Sequence, residues 1–502
     1  MIAHDISFLS LLAAAGCGLV LVYIASAVRS WHRMKHIPGP LLASFSYLWL
    51  SRMNATGRQY SVYRDLGNKY GPLVRVGPNE LSTDDPELIR RMSAARSTYG
   101  KDPWYLYSGI NPYVPTMFTT LDPAAHDRMK AQRAGAYGGR EADMERGVDD
   151  MVNKLVTLIR SKYLTDSKAK YLRPMEFASL SCYLTLDVIT QAGFGRPFGY
   201  LEHERDMYDY LSSITKHIRS LSIILDVPWI RQIFLSPLFL RFLGPQLTDK
   251  SGMGKLMGMA REIVGGIFEN QRDEKGYMIA SFREHGLSRE ECESECLFMI
   301  IAGSDTTASV MRILMLCLLS TPRVYARLKA EIAGAQKNGV SEPITVEQAR
   351  SIPYLHALVY EGIRMRPPAP GLYPKCVPPE GDMIHGYFVP GGTSVGINTS
   401  SLLRSKALFG EDADIFRPER FIEASHAQRI EMERNVELVF GYGRWMCAGK
   451  PLAFMELYKV IFELMRNFDF QLMNPTKPWD SEIYLLWMEE NMWVRVTEAS
   501  SE

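Results

Sequence analysis

Cys447 sits in the segment Phe440-Gly441-Tyr442-Gly443-Arg444-Trp445-Met446-Cys447-Ala448-Gly449-Lys450. Pro451 follows, and then a helical pattern in which Ala453, Leu457, Val460, Ile461 and Leu464 share one face. A cysteine in a glycine-rich turn ahead of a helix N-terminus meets unpaired backbone amides and the positive end of the helix dipole, both of which favour thiolate over thiol. A thiolate is a nucleophile or a soft metal ligand. Glycine at 441, 443 and 449 predicts dihedrals closed to other residues and a close approach of the backbone to a flat ligand. The competing reading is a buried structural thiol, since free cysteine is among the most buried residue types. Zinc lacks further ligands at suitable spacing. Cys292 and Cys296 share a helix face but have no second pair, and read as core.

Two other constellations bear on chemistry. Residues 302–307, Ala-Gly-Ser-Asp-Thr-Thr, interrupt a long apolar helical pattern from about 290 to 320. Ser and Thr compete for backbone bonds and predict local loosening, and a carboxylate beside an alcohol, Asp305 and Thr306, can pass protons. Asp305 and Arg312 near its middle argue against a second membrane span here. Glu361 and Arg364 lie i,i+3 on a helical pattern over residues 354–365. Alone they read as an exposed ion pair contributing about 0.3–0.5 kcal/mol. Downstream comes Phe416-Arg417-Pro418-Glu419-Arg420-Phe421.

In this order the segments resemble the signatures of the cytochrome P450 family. Residues 440–449 are similar to its haem-binding loop, which implies that Cys447 is the axial ligand of the iron in haem b, with Phe440, Gly443, Arg444 and Gly449 shaping the cofactor site. Thiolate ligation donates electron density that promotes O–O cleavage. One departure stands out: Trp445 occupies the position where most members carry a propionate-binding arginine. The resemblance further implies a structural triad of Glu361, Arg364 and Arg420, and an oxygen-activating helix on which Asp305 and Thr306 relay protons while Ala302 and Gly303 leave room over the iron. His126 and Lys130 match a tryptophan or histidine followed four residues later by arginine, and Lys375 matches a basic residue near a propionate. The lysine after Gly449 is similar to fungal secondary-metabolism members of the pisatin demethylase type.

The elements that must position these residues are mostly helical. Short β signals occur near residues 73–81 and as a hairpin pattern over 384–397, so the expected fold class is mainly α with small β-sheets, the cytochrome P450 fold. Residues 99–121 combine Trp104, Tyr105, Tyr107, Tyr113 and Phe118 with three prolines and read as an aromatic loop. Residues 223–243 carry Trp229, Phe234, Leu238 and Phe242, interrupted by Pro228 and Pro237. From composition both read as ordinary core, whereas the resemblance makes them substrate-entry elements, the second dipping into lipid.

Residues 6–28 are 23 uncharged, mostly apolar residues, enough for one transmembrane helix, since about 20 span the hydrocarbon core. Asp5 precedes them, and Arg29, Arg33 and Lys35 follow, so the positive-inside rule places the remainder in the cytosol. A cleavable signal shows the reverse charge order. The expected organisation is a lumenal segment 1–5, an anchor 6–28, a basic, Pro-rich hinge 29–40 and a haem-binding catalytic domain 41–502. Lys plus Arg total 57 against 56 Asp plus Glu, which gives no field for nucleic acid. Seven scattered cysteines fit a reducing compartment.

The resulting expectation is a single-pass endoplasmic reticulum monooxygenase that inserts one atom of O2 into an apolar small molecule. Its electrons come from NADPH through cytochrome P450 reductase, with cytochrome b5 as a second donor. Arg444, Lys450 and Lys459 form the basic face toward the reductase. The alternatives are a haem-thiolate isomerase or dehydratase, against which the Asp305-Thr306 pair argues, and a haem-based sensor.

Overall fold

Why the chain is built around one helix follows from residues 289–320. Ser288 opens this helix with a capping box, its hydroxyl accepting from the Glu291 amide while Glu291 reaches back to the Ser288 amide. The interior is apolar on nearly every side, which suits a helix buried all round. In the computed structural model it is unbroken from Arg289 to Ser320. The loosening expected at 302–307 is absent, because Ser304 and Thr306 return their hydroxyls to the Ile300 and Ala302 carbonyls at 2.8 and 2.7 Å, leaving the backbone ladder intact.

The structure describes residues 8–138, 141–165, 172–269 and 276–499; the expected lumenal segment 1–5 lies outside them. The helices that matter for the site, in chain order, are α1 (Phe8–Met34), α2 (Pro123–Gly138), α3 (Phe177–Phe194), α4 (Tyr210–Asp226), α5 (Pro228–Phe234), α6 (Pro237–Leu243), α7 (Gly252–Glu269), α8 (Arg289–Ser320), α9 (Pro353–Met365) and α10 (Lys450–Asn467). Helix α8 packs against α3, α7, α9 and α10 at the centre of the main core. A five-stranded sheet, β1 (Leu73–Arg75), β2 (Glu80–Thr83), β3 (Gly100–Lys101), β4 (Lys375–Cys376) and β5 (Ser394–Ile397), runs in the order β1-β2-β5-β4-β3. Only the β2/β5 pair is parallel. The hairpin expected over 384–397 forms earlier, pairing Asp382–Ile384 with Tyr387–Val389 through a turn at His385 and Gly386, while Ser394–Ile397 joins the five-stranded sheet instead.

Helices α1 and α8 are both long and apolar enough to cross a membrane, but 78% of the apolar window of α8 is buried in the protein, which makes it a core helix. In α1 the run Leu19 to Ile24 is exposed. The helix continues through Arg29 to Met34, and its last turn is welded to the sheet. Arg33 donates to Asn79 Oδ1 at 2.7 Å, Arg75 donates to the Ser30 carbonyl at 2.9 Å, and Met34 and Ile37 are buried in a second core with Leu73, Leu81 and Val395. A chain starting at Arg29 is therefore expected to keep its stability, whereas one starting at Ile37 loses about 2–4 kcal/mol from the lost Met34 side chain and Arg33 and Arg75 partners. Urea unfolding of the two truncations checks this; equal midpoints contradict it.

The two aromatic segments diverge. Trp104 and Tyr105 are buried. Residues 228–243 instead form the short helices α5 and α6, on which Trp229, Leu238 and Phe242 are 58, 71 and 71% exposed, so the core reading fails for them.

Candidate active site

Cys447 is held at the end of a tight loop. Its amide donates to the Phe440 carbonyl at 2.7 Å, and Gly441 and Gly443 adopt φ of 76° and 59°, the left-handed region that favours glycine. A side chain at 443 would also lie 2.5 Å from the Ser93 carbonyl oxygen. Gly449 differs from expectation: its φ is −80°, and the nearest atom to an added Cβ is Cys447 Sγ at 3.9 Å. There glycine leaves space beside the sulfur. Burial pushes the Cys447 thiol up, against the pull of the Gly449 and Lys450 amides and the Lys130 and Lys450 charges. A metal on the sulfur would favour the thiolate, since metal binding displaces the proton. The Cys447 residue itself is exposed, so its sulfur is open to a ligand.

Beside Cys447 the structure assembles a cationic cluster that sequence reasoning found only in part. Lys101 and Lys375 are directly opposite each other across the β3/β4 pair, and both are buried. Their Nζ atoms sit 4.6 and 4.5 Å from the centroid of the Trp445 ring, against which His126 packs at 4.4 Å. Lys101 donates to the Phe118 carbonyl at 2.7 Å; Lys375 has no hydrogen-bond partner among the described residues. Burial lowers the Lys101 ammonium to about 7 and that of Lys375 to about 6, with Lys101 depressing Lys375 further. Like charges opposed in a strand pair are unfavourable, and a buried unpaired ammonium more so. The indole face relieves part of this by cation–π attraction. The chemistry that satisfies the rest is a ligand with two carboxylates, which is what haem carries in its propionates. The donor set therefore fits haem, with Trp445 bridging two lysines where an arginine is usual. Lys101 was missed because only the strand register brings it to Lys375.

Other expected residues are placed differently. Lys130 donates to the Arg444 carbonyl at 2.8 Å, bracing the loop, and Arg444 points to Asp127 at 3.1 Å. Lys450 pairs with Glu437 at 2.8 Å. Lys459 corrects the expected basic face: it is fully buried, bound to Glu145 and Asp149 at 2.7 and 2.8 Å, and meets no partner protein. Phe440 packs on Phe454 with ring centroids 5.4 Å apart. Behind the loop, Arg364 grips Glu361 with two bonds of 2.7 and 2.8 Å, and Arg420 Nε reaches both oxygens at 3.1 Å. All three are buried, so the pair is no exposed helix contact; breaking it leaves an uncompensated buried charge.

On α8, Phe298, Ala302 and Thr306 share a face at i, i+4 and i+8. Phe298 stacks on Phe118 at 5.0 Å, and the Phe118 ring lies 5.7 Å from Lys101 Nζ, which links this face to Trp445. Gly303 does not face that space: a side chain there would meet Ile189 of α3 at 3.0 Å, so its role is close helix packing. Asp305 turns the other way. It accepts from Cys182 Sγ at 3.5 Å and from the Tyr210 hydroxyl at 3.2 Å, with no bond to Thr306. Burial pushes its carboxyl up, while the Arg312 charge and these two donors pull it down.

The sequence profile of the family described as Cytochrome P450 matches residues 36–494. The chain belongs to the cytochrome P450 family. Among curated relatives, this cytochrome P450 is 49% identical over 469 residues to the cytochrome P450 monooxygenase aba1 of Botryotinia fuckeliana, covering 93% of this chain and 92% of that protein. It is 46% identical over 473 residues to the cytochrome P450 monooxygenase abl1 of Leptosphaeria maculans (93% and 83%). To the cytochrome P450 monooxygenase mpaDE of Penicillium brevicompactum it is 30% identical over 483 residues, which span 93% of this chain but 56% of the longer relative. This P450 is a monooxygenase that uses haem-thiolate chemistry and O2.

Proposed function

We propose that Cys447 ligates the haem iron, that Lys101 and Lys375 hold the propionates with Trp445 between them, and that an apolar small molecule enters beneath α5 and α6 to be oxidised against the Phe298-Ala302-Thr306 face. The observation that supports this reading is the placement of both buried lysines on the Trp445 ring, two residues from Cys447, with Phe118 linking Lys101 to Phe298 of α8. When bound, the haem supplies an electron-rich iron at which dioxygen is reduced and cleaved. The protein's part is to bind, orient and manage protons. Lys130 and Arg444 stiffen the loop; Trp104, Tyr105, Phe118 and Tyr373, packed edge to face with centroids 5.2–6.5 Å apart, form an aromatic wall. Thr306 presents a hydroxyl, and Asp305 stores a proton one residue away.

Helix α1 would anchor the enzyme in the endoplasmic reticulum, with the exposed α5 and α6 touching the same bilayer. Electrons would come from NADPH through a membrane-bound reductase, or cytochrome b5, at the surface of Arg444 and Lys450. The fungal relatives and the likeness to the pisatin demethylase type support a role in secondary metabolite biosynthesis.

Haem transfer to excess apomyoglobin tests the site without turnover. Lys375→Met and Lys101→Met are each expected to speed haem loss about tenfold or more, as for a charge-assisted hydrogen bond worth about 1.5–3 kcal/mol. Because the propionates raise ammonium groups that burial lowers, this part of haem affinity is full below about pH 6 and declines as pH rises. The double variant should lack it. Wild-type transfer rates in the double variant would discard the assignment.

A further inference from the structure

A small polar cavity borders the aromatic wall. It measures about 30 Å3, roughly the room of one or two waters, and lies between Gln59, Glu80, Asp102, Asp226, Arg231 and Tyr373. Trp104 and Tyr373 belong both to its lining and to the wall, and Phe118, whose ring meets Tyr373 at 6.5 Å, stacks in turn on Phe298 of α8. Its hydrogen bonding is settled from one end. Asp226 accepts from Trp104 Nε1 at 2.9 Å and from Asn54 Nδ2 at 2.8 Å. Having given its NH2 to a carboxylate, the Asn54 amide offers its oxygen to Gln59 Nε2 at 3.0 Å. That chain fixes the orientation of the Gln59 amide and leaves Oε1 as an acceptor with no partner among the described residues. The Tyr63 phenol, buried beside Gln59, has no partner there either. On α5, Arg231 gives Nη1 to the Leu225 carbonyl at 3.0 Å and Nη2 to Asp102 at 3.6 Å, while its Nε is likewise unpartnered among the described residues. Gln59 and Arg231 are 2 and 8% exposed, so each open atom carries an unrelieved desolvation cost.

We propose that this cavity is the polar end of the substrate pocket and takes a neutral alcohol, whose hydroxyl donates to Gln59 Oε1 and accepts from Arg231 Nε while its apolar body lies along Trp104 and Tyr373 toward α8. This rests on the reading that an apolar molecule is oxidised against the Phe298-Ala302-Thr306 face. The free donor and the free acceptor decide the class. A hydroxyl is both donor and acceptor and completes both atoms at once. A carboxylate only accepts, and meets Glu80, Asp102 and Asp226; an ammonium only donates, and meets Arg231. Burial already raises the Glu80 carboxyl to about 7 and pushes that of Asp226 up, the mark of a place where further negative charge is costly. An ether accepts from Arg231 but leaves Gln59 Oε1 unmet. Holding the substrate by one end also fixes which of its carbons reaches the reacting face.

Dodecan-1-ol, its methyl ether and dodecanoate are compared on the holoenzyme by equilibrium dialysis, with the haem Soret shift recorded alongside. The alcohol is expected to bind about tenfold more tightly than the ether, as for one buried acceptor left unmet, and dodecanoate at pH 8 the most weakly of the three. Gln59→Met should erase the alcohol's advantage by weakening the alcohol alone, whereas Arg231→Met should weaken alcohol and ether together. An alcohol that binds no more tightly than the ether in the wild type, or an advantage that survives Gln59→Met, overturns the proposal and leaves the cavity to water. Should Gln59→Met not fold, the wild-type comparison of alcohol and ether alone decides. Phe298→Trp, which fills the space at the reacting face, should abolish the Soret shift; an unchanged shift with the alcohol's advantage intact would reject that face as the place of oxidation while upholding the hydroxyl site.

Discussion

Cys447→Ala is expected to abolish the red-shifted Soret band of the reduced carbon monoxide complex and, with it, turnover. The reason is selective placement. Of the other six cysteines, Cys17 lies on the exposed face of α1, and Cys182, Cys292 and Cys296 are buried in the core. Burial pushes the thiols of Cys292 and Cys317 up to about 12, and that of Cys376 upward as well. Cys447 alone combines two facing backbone amides with an exposed position. The variant keeps Lys101, Lys375 and Trp445, so it should still take up haem, more weakly, which separates loss of the ligand from loss of the fold. A normal band with normal haem content in Cys447→Ala would remove the thiolate assignment.

What could be read from the sequence was local or carried by contiguous motifs. The loop at 440–449, the helix over 289–320 and the Glu361, Arg364 and Arg420 triad each depend on residues near one another in sequence or on a recognisable order, and the structure places them accordingly. Facing direction was not legible. Gly303 sits in a motif that suggests room over the cofactor, but a rotation of about 100° per residue along α8 turns it onto Ile189. Lys459 looked like a surface cation until the packing of α10 buried it against Glu145 and Asp149. The opposed Lys101 and Lys375 depend on the register of two-residue strands far apart in the chain, which no local pattern encodes. Trp445, a departure from the family motif, was the one hint in the sequence to look for other cations beside the loop. The same limit hid Gln59 and Arg231, which are ordinary helix residues until the fold brings them to one cavity.

Thr306→Ala is expected to bind haem and substrate normally while product formation falls and NADPH consumption continues, the electrons leaving as hydrogen peroxide or water. The Thr306 hydroxyl donates only to the Ala302 carbonyl, which the helix ladder also satisfies, so the change should cost little stability, within about 0.5 kcal/mol. What it removes is the hydroxyl on the face shared with Phe298 and Ala302. Asp305→Asn acts by another route: it keeps the shape, but the amide must turn its NH2 toward Cys182 or Tyr210, which both donate to the carboxylate, and it cannot carry the proton. Turnover should fall by about 10²–10⁴, the usual contribution of a general acid–base group, with slowed NADPH use in place of uncoupled use. An isomerase needs neither oxygen nor protons delivered to it, and would tolerate both changes. Product, peroxide and NADPH are measured together in each variant with the reductase present. Tightly coupled product formation at the wild-type rate in both would refute proton delivery through these residues while leaving Cys447 as ligand untouched, because the two assignments rest on different elements, helix α8 and the loop ahead of α10.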